Sequence, residues 1–463
     1  MSDTPSAAEI VERVAAGETS PEAEVERSLR AIDQRNPALN AFSVVLADQA
    51  RQQARFLELG HGETRGPLYG VPVAIKEELD VAGCVTTFGG KGNSTPVAED
   101  GEVVRRLREA GAVVVGKTHM PEFGSYPYTE SDAYGYTRNP WRTSFSPGGS
   151  SGGSAVAVAT GMVPVGLGGD GGGSIRVPAA CCGLFGLKPQ RGRITSAPHE
   201  HLWWALGTAG ALTRTVLDSA VVLDVLRGHL PVDRWQAGEA GSFTEAAGRS
   251  PGSLRVGWSV TSPTKGVRAH ADHVAAVRDT ARLLSDLGHE VREVDPHYPE
   301  ITPAFVPQFF AGIRTEADAV EHYDRLERRT RETYRLGSWV TPRVLRAALR
   351  QTERISAKAN RVFDQVDVLL TPTTATRPPR LGVLDGAGTV RASQRSLPFI
   401  AYCAIWNVAG NPACSVPSGM GTDGLPIGVQ LVGPTDGEEL LLSLAAQIEQ
   451  ARPWPLLAPP PAG

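Results

Sequence analysis

The sequence predicts an α/β fold built around a mostly parallel or mixed β-sheet. Helical periods alternate with short β-branched runs: DGEVVRRLREAGAVVVGKT (100–118) predicts a helix followed by a strand. The same order recurs in the strand LRVGWSV (254–260), the helix HADHVAAVRDTARLLSDLG (270–288) and the strand HEVREVDP (289–296). Alternation of this kind is typical of an α/β fold.

Local signals place the elements near the amino terminus. Ser20, Pro21 and Glu22 supply an N-cap, a proline at the first helical position and an early acidic residue, so they predict a helix that runs to about Gln34. The apolar run that begins at Gly70 predicts a short strand that ends at Lys76.

The second half of the chain continues the pattern. VDVLLTPTT (366–374) and GVQLVGP (428–434) predict further buried strands. The long charged stretch 316–363 predicts helices that cover one side of the sheet. The final residues, ARPWPLLAPPPAG (451–463), are too rich in proline for a regular element and predict a surface tail.

Composition excludes several classes of function. The chain has 463 residues, of which 41% are apolar, and a formal charge of −4. It has no basic tract, so nucleic acid is not an expected partner. No apolar run reaches the ~18 residues that a membrane span requires, so membrane association is not expected either. The first residues lack the basic and apolar regions of a signal peptide.

The cysteines indicate a reducing compartment. There are five of them, an odd number; Cys181 and Cys182 are adjacent, and no CxxC motif occurs. Structural disulfides and a zinc site are therefore not expected. We expect buried free thiols and a cytoplasmic protein.

A segment rich in glycine and serine, 146–176, has three interpretations: a linker, a phosphate-binding loop or an active site. The apolar run AVAVATGMVPVGL (155–167) argues against a linker, because it predicts a buried helical turn and a strand. GLGGDG (166–171) matches GxGxxG. However, Pro178 interrupts the stretch where a nucleotide-binding fold needs a helix, and no acidic residue follows at the required distance.

The catalytic interpretation rests on the end of this segment. Consecutive glycines expose several backbone N–H groups to one point, as an oxyanion hole requires. Ser174 follows them directly and is a candidate nucleophile, which needs a base. Lys76 is a candidate base, since burial at a strand end favours the neutral amine. The residues alone leave open the more ordinary role of a lysine that reaches solvent.

The block 146–193 resembles the hallmark block of the amidase signature family. VPVAIKE (71–77), GKTHMPEFGSYPYTESDAYGYTRNPW (116–141), NVAGNPACSVPSG (407–419) and GLPIGVQLVGP (424–434) also resemble that family, in its order and over most of the chain. The resemblance implies the amidase-signature fold, a central mixed sheet covered by helices on both faces, within one domain (1–463). We expect an N-terminal helical segment (1–65), a catalytic core (66–200), a variable covering segment (201–365) and C-terminal strands with a helix (366–463).

The resemblance also implies a Ser–cis-Ser–Lys triad. Matched by motif, Ser174 is the nucleophile, Ser150 the bridging serine and Lys76 the neutral base of the proton relay. Ser151 is the main competitor of Ser150, and Lys117 is the competing lysine. The cis peptide bond of the family would lie between Gly149 and Ser150.

Further site residues follow from the same match. The implied oxyanion donors are the N–H groups of Gly171, Gly172, Gly173 and Ser174. The expected substrate contacts are Gly124, Tyr126, Gly149 and Trp406. The paired tryptophans Trp203 and Trp204 are candidates for an apolar pocket, with a place in the core as the alternative. The resemblance implies no cofactor and no metal.

Some residues depart from the family pattern. Glycine stands at position 171, where a residue with a side chain is commoner, Glu77 replaces the commoner Asp, and His119 replaces Asn. DGGGSIR (170–176) resembles the branch that contains 6-aminohexanoate cyclic-dimer hydrolase. We expect Asp170 and Arg176 to fix the glycine loop; binding of a substrate carboxylate by Arg176 is the alternative.

The predicted function is hydrolysis of a carboxamide or of a linear or cyclic amide bond through a Ser174 acyl-enzyme. The expected partner is a small-molecule amide. A biosynthetic acyltransferase, the glutaminase-like subunit of a tRNA-dependent amidotransferase and a catalytically idle scaffold are alternatives. The sequence leaves monomer and homodimer open.

Overall fold

The computed structural model describes residues 4–60 and 65–459, which form one large sheet, a small hairpin and surrounding helices. The strands are β1 Phe42–Val45, β2 Pro72–Lys76, β3 Val113–Thr118, β4 Glu130–Ser131, β5 Gly135–Tyr136, β6 Val165–Gly169, β7 Phe185–Lys188, β8 Ala209–Thr213, β9 Arg255–Trp258, β10 Glu290–Glu293, β11 Val368–Pro372, β12 Ala413–Met420 and β13 Pro426–Val432.

The large sheet is mixed, as predicted. Its order is β1-β3-β2-β6-β8-β7-β12-β13-β11-β9-β10. β2 runs parallel to both β3 and β6, and β9 runs parallel to both β10 and β11. The strands between these two parallel units, from β6 through β8, β7, β12 and β13 to β11, pair antiparallel. β1 adds an antiparallel edge beside β3.

Helices flank this sheet. They are α1 Ala7–Ala15, α2 Pro21–Leu39, α3 Ala47–Glu58, α4 Glu102–Glu109, α5 Gly152–Ala159, α6 Arg176–Cys182, α7 Val216–Leu226, α8 Phe243–Gly248, α9 Ala271–Asp286, α10 Thr302–Ala319, α11 Arg328–Leu336, α12 Pro342–Ala359, α13 Thr389–Ile400, α14 Ala404–Ala409 and α15 Glu438–Ala451.

The central strands have no polar face because helices cover them. β2, β3, β6 and β8 are buried at every position. Strands covered on both faces are typically continuous apolar runs rather than alternating ones. α5 packs against β2, β6 and β8, while α9 packs against β11 and β13. The main apolar core lies between these layers.

Most predicted elements are confirmed; α2 and α6 differ from the prediction, as does α10, which is described below. The Ser20 side chain caps α2 as predicted, but the helix continues to Leu39 with Pro37 inside it. A seven-residue helix, α6, follows the glycine loop although Pro178 was predicted to interrupt that stretch. Pro178 is the third residue of α6, in the first turn, where the backbone N–H that proline lacks has no intrahelical partner anyway.

The proline-rich tail is more firmly attached than predicted. After Ala451, the last residue of α15, it forms no helix or strand up to residue 459, and 460–463 lie outside the described residues. Trp454 is nevertheless buried, and its indole N–H donates to Arg214 O at 2.9 Å. The backbone N–H of Ala458 donates to Ala159 O, at the end of α5. Proline removes donors but leaves apolar side chains free to pack, so the tail lies against the core.

The covering helices come from the segment 302–359. α10 packs against α11 and α12, and α12 also packs against α14. α10 begins well before the predicted start at residue 316, and its last turns face the carboxyl ends of β2 and β6. This layer forms one wall of the site described next.

Candidate active site

The candidate catalytic residues come together at the carboxyl ends of two neighbouring parallel strands. Lys76 is the last residue of β2, and Gly169 is the last residue of β6. The loop after β6 carries Ser174, and Ser150 lies just before α5, which packs on both strands. Because parallel strands end at the same edge of a sheet, residues 74 to 98 positions apart meet in one place.

Lys76 is buried and faces Ser150. Its Nζ lies 2.8 Å from Ser150 Oγ, and only 1% of the residue is exposed. The same amine lies 3.3 Å from Gly169 O and 3.0 Å from Glu78 Oε1. The lysine therefore does not reach solvent, which was the ordinary interpretation of a strand-end lysine.

The two adjacent serines have different neighbours. The peptide bond between Gly149 and Ser150 is cis. Ser151 Oγ donates to Gly169 O at 3.3 Å, and the Ser151 backbone N–H donates to Ser174 O at 3.2 Å. Ser150, rather than Ser151, is thus the serine in contact with the lysine.

Ser174 lies on the same cleft as Lys76 and Ser150 and is partly exposed. The Ser174 hydroxyl makes no hydrogen bond to any residue in the described ranges 4–60 and 65–459. Gly173 before it has φ +130°, and a Cβ there would lie 2.8 Å from Cys403 Cβ, so the loop requires glycine at this position. The serine hydroxyl is left open to the cleft.

Three of the four predicted oxyanion donors are available. The Gly173 N–H already donates to Asp170 Oδ1 at 2.7 Å, which differs from the prediction. The N–H groups of Gly171, Gly172 and Ser174 have no acceptor in the described part of the chain. Several unpaired N–H groups beside a serine hydroxyl are what a developing oxyanion needs.

A buried ion pair holds this loop. Arg176 Nη2 lies 2.9 Å from Asp170 Oδ1, and both side chains are fully buried. Arg176 also donates to Gln430 Oε1 at 2.7 Å and to Asn407 Oδ1 at 2.6 Å. Burial alone would raise the pKa of Asp170, but the charge and hydrogen bonds of Arg176 hold it well below its usual value. Arg176 has no open face for a substrate carboxylate, so the structure supports the loop-fixing interpretation.

The cleft above these residues encloses about 150 Å³. Its floor is formed by the catalytic candidates, and its other walls carry aromatic and acidic residues. The lining side chains outside the catalytic candidates include Glu78, Phe88, Phe123, His201, Trp203 and Glu316. Trp203 was a predicted pocket residue. Glu78 and Glu316 were missed by the sequence analysis.

Trp203 explains the unusual glycine at position 171. A Cβ at Gly171 would lie 3.2 Å from Trp203 Cε3, and one at Gly312 of α10 would lie 3.0 Å from Trp203 Cδ1. The indole therefore packs between the loop that follows β6 and helix α10. Its N–H donates to Glu316 Oε1 at 2.6 Å.

The predicted substrate contacts divide into two groups. Gly124 lines the cleft, and a Cβ there would lie 3.0 Å from Ser150 Oγ. Gly149 is held behind the site, where a Cβ would lie 2.7 Å from Tyr128 N. Tyr126 packs in a separate buried cluster, and Trp406 is fully buried beside Tyr298 and Phe363. The structure places neither aromatic residue on the cleft.

The competing lysine lies elsewhere. Lys117 Nζ donates to Val85 O at 3.2 Å and to Thr86 Oγ1 at 3.1 Å, and lies 3.8 Å from Glu77 Oε1. Burial lowers the pKa of Lys117, although Glu77 opposes this effect. It contacts neither Ser150 nor Ser174. Glu77 thus belongs to this structural network, and also accepts from Ser43 Oγ at 2.8 Å.

His119, the third departure from the family pattern, is also buried away from the cleft. Burial lowers its pKa to about 4. Its ring lies 5.0 Å from the ring of Tyr134. The side chain is therefore neutral at physiological pH and packs as part of the interior.

The remaining features bear on cofactors and compartment. All five cysteines are buried free thiols, as expected. Across the described ranges, no group of three or more His, Cys, Asp or Glu side chains could hold a metal ion. Nor does any helix in those ranges combine the length and apolar character needed to cross a bilayer.

The chain is similar to known amidases over most of its length. The amidase family model matches residues 23–442. AmiB2 of Mycobacterium tuberculosis is 48% identical to this chain over 431 residues. The match covers 92% of this chain and 91% of AmiB2. The 6-aminohexanoate-cyclic-dimer hydrolase of Paenarthrobacter ureafaciens is 35% identical, with 96% and 94% covered. A solved structure of 6-aminohexanoate cyclic dimer hydrolase complexed with substrate superposes with a TM-score of 0.91 at 34% identity, covering 97% of each chain.

Proposed function

Because this chain belongs to the amidase signature family and is a hydrolase of amide carbon–nitrogen bonds, we propose that Ser174, Ser150 and Lys76 carry out its chemistry. The observation that supports this assignment is the 2.8 Å contact between Lys76 Nζ and Ser150 Oγ, on a cleft that also exposes Ser174. The substrate is a small carboxamide or a linear or cyclic amide.

The surroundings of Lys76 suit either protonation state. An ammonium group has three donors, and three acceptors surround Nζ: Ser150 Oγ, Gly169 O and Glu78 Oε1. A neutral amine has two donors and one lone pair. It would donate to Gly169 O and Glu78 Oε1 and accept from the Ser150 hydroxyl. The proton can therefore arrive and leave without movement of the side chain.

The reaction begins with transfer of two protons. Neutral Lys76 accepts the proton of Ser150, which accepts that of Ser174 as the Ser174 oxygen bonds to the amide carbon. The carbonyl oxygen becomes an anion that the N–H groups of Gly171, Gly172 and Ser174 stabilise. One such donor is worth about 3–4 kcal/mol of the barrier.

The second half of the reaction releases the amine. Ser150 returns a proton to the leaving nitrogen, the carbon–nitrogen bond breaks, and the acyl group remains on Ser174. Water then attacks this ester, with the Lys76–Ser150 pair accepting its proton. The bond between the acyl carbon and the Ser174 oxygen breaks, the pair returns the proton to that oxygen, and the acid leaves.

The test is a panel of linear and cyclic amides, including 6-aminohexanoate cyclic dimer because a relative's name specifies it. We expect release of ammonia or amine without any partner protein, and a loss of at least about a thousandfold in Ser174→Ala. Ser250→Ala, at an exposed position, is the matched control and keeps full activity. Brief incubation followed by mass spectrometry would detect the acyl group on Ser174. Undiminished turnover by Ser174→Ala would refute the assignment.

We also propose a cytoplasmic location. Five buried, unpaired thiols support it, because oxidising compartments favour disulfides.

A further inference from the structure

Two glutamates line the cleft beside the catalytic candidates; Glu78 contacts Lys76, and the proposed reaction gives Glu316 no role. Glu78 follows β2, and Glu316 lies on α10, which covers the opposite side. We propose that Glu78 and Glu316 select amides that carry a cationic amino or guanidinium group. This inference rests on the proposed function and deepens it by naming the substrate class.

Glu316 has one satisfied and one unsatisfied oxygen. Oε1 accepts the Trp203 indole N–H at 2.6 Å. Oε2 is shielded from solvent and has no hydrogen-bond partner in the described ranges. A buried polar atom without a partner costs about 1–3 kcal/mol, so such atoms in native proteins usually await a ligand or water. Because Glu316 lines the cleft, a bound substrate is the natural source of that partner.

Glu78 is held where it can reach the same ligand. Its carboxylate lies over Gly169: a Cβ at that glycine would be only 2.0 Å from Glu78 Oε1. That oxygen contacts Lys76 Nζ at 3.0 Å, and the side chain is 19% exposed. Because Gly169 has no side chain, the Glu78 carboxylate has room to lie beside Lys76 at the base of the cleft. In this proposal Glu78 positions Lys76 and, together with Glu316, attracts the cationic group of the substrate.

The cleft is lined by more acidic side chains than lysine or arginine side chains. Among the described residues that line it, Lys76 is the only lysine or arginine. Asp170 also lines it, but Arg176 neutralises that carboxylate. Burial lowers the pKa of His201, which favours the neutral ring. Glu78 already pairs with this amine, so no lysine or arginine among the described lining residues is left to pair with an ionised Glu316.

A cationic substrate group would supply the missing partner of Glu316. Burial raises the pKa of Glu316 well above its usual value; the Trp203 hydrogen bond opposes this, and Glu78 adds to it. An ammonium or guanidinium group within hydrogen-bond distance of Oε2 would favour the ionised carboxylate and satisfy the oxygen. Hydrogen bonds to charged groups are stronger than neutral ones. A neutral alkyl chain would instead leave Glu316 Oε2 without a partner.

The test compares matched substrates. The uncharged alkyl amide that the wild type hydrolyses best in the panel is paired with isosteres in which a terminal methyl becomes an amino group, first on the acyl side and then on the amine side. We expect kcat/KM to favour the cationic member by at least about tenfold on one side. Glu316→Gln keeps an acceptor for the Trp203 N–H. In this variant the ratio of kcat/KM for the cationic member to kcat/KM for the neutral member should fall towards one. Glu293→Gln, at an exposed site on β10, should keep the wild-type ratio.

The outcomes separate the two proposals. Equal or better hydrolysis of the neutral member on both sides would overturn the inference, as would a cationic preference that survives in Glu316→Gln. Either result leaves the proposed function intact, because the neutral amide is still hydrolysed. If no amide shows Ser174-dependent hydrolysis, the proposed function fails, and the inference fails with it.

Discussion

Arg176 pairs with Asp170 behind the nucleophile loop, with 2.9 Å between Nη2 and Oδ1 and both side chains fully buried. Asp170 also accepts the N–H groups of Gly173 and Ile175, at 2.7 and 3.2 Å. The ion pair is therefore built into the loop that presents Ser174. Any change in it should alter stability and catalysis together.

We expect Asp170→Asn to lower the free energy of unfolding by about 3–5 kcal/mol, because it leaves the Arg176 charge buried without a counter-ion. Urea unfolding at neutral pH measures this. The double variant Asp170→Asn/Arg176→Met should lose less than the sum of the two single variants, since it buries no unpaired charge. A loss below about 1 kcal/mol in Asp170→Asn would contradict this account of the loop.

The two buried lysines allow a matched comparison. Lys76→Met removes the proton acceptor that contacts Ser150, so amide hydrolysis should fall by about 10²–10⁴-fold. Lys117→Met removes an amine that donates hydrogen bonds to Val85 O and Thr86 Oγ1. Its main effect should therefore be on stability, and kcat/KM should stay within about tenfold of the wild-type value. Circular dichroism establishes that both variants fold. Equal losses of activity in two folded variants would reject Lys76 as the base.

Position 171 tests the packing of the cleft wall. Gly171→Ala places a Cβ 3.2 Å from the Trp203 ring, so the indole or the loop must move. We expect kcat/KM to fall about threefold to tenfold, less than the ~10²–10³-fold cost of removing an oxyanion donor, because the N–H group is displaced and not lost. Gly172→Ala is the control, because its Cβ meets Phe305 at 3.5 Å, an ordinary contact. In a Trp203→Ala background the cost of Gly171→Ala should disappear; its persistence there would exclude the indole as the cause.

Glu122 predicts a pH-dependent stability. Burial raises its pKa to about 7, and the nearby Glu327 adds to the shift. The folded state therefore binds more protons than the unfolded state between about pH 4.5 and 7, so the contribution of Glu122 to stability falls as the pH rises through this range. Glu122 lies two residues before Gly124, where a Cβ would lie 3.0 Å from Ser150 Oγ.

Glu122→Gln removes this titration. Since one pKa unit corresponds to about 1.4 kcal/mol, the unfolding free energy of the variant minus that of the wild type should rise by about 3 kcal/mol from pH 4.5 to above pH 7. Glu449, whose pKa burial also raises to about 7, is present in both proteins and cancels. A difference that stays constant with pH would show that Glu122 does not titrate in this range.

Much of the fold could be predicted from local patterns. β2 ends at Lys76 as predicted, because a continuous apolar run marks a strand buried on both faces. The N-cap of α2 was also clear from Ser20 and Pro21. The attachment of the tail was not, because proline content indicates the absence of a regular element but carries no information on what Trp454 packs against.

The site was predictable only in part. The glycine block and the strand-end lysine belong to short local motifs, so the residues around Ser174 could be named. Glu316 and Trp203 reach the cleft from the covering segment, and no sequence pattern relates position 316 to position 174. The contact from Gly173 to Asp170 depends on how one carboxylate folds back on its own loop, which spacing does not reveal.

The proposed catalytic residues and the cleft-lining residues of α10 lie in different segments of the chain. Lys76 ends β2, Ser150 lies just before α5, and Ser174 lies in the loop after β6, whereas Glu316 and Gly312 lie on α10. For enzyme engineering this separation means that a library randomised only along the inner turns of one helix would explore new amide preferences, while every member retains the same proton-transfer apparatus.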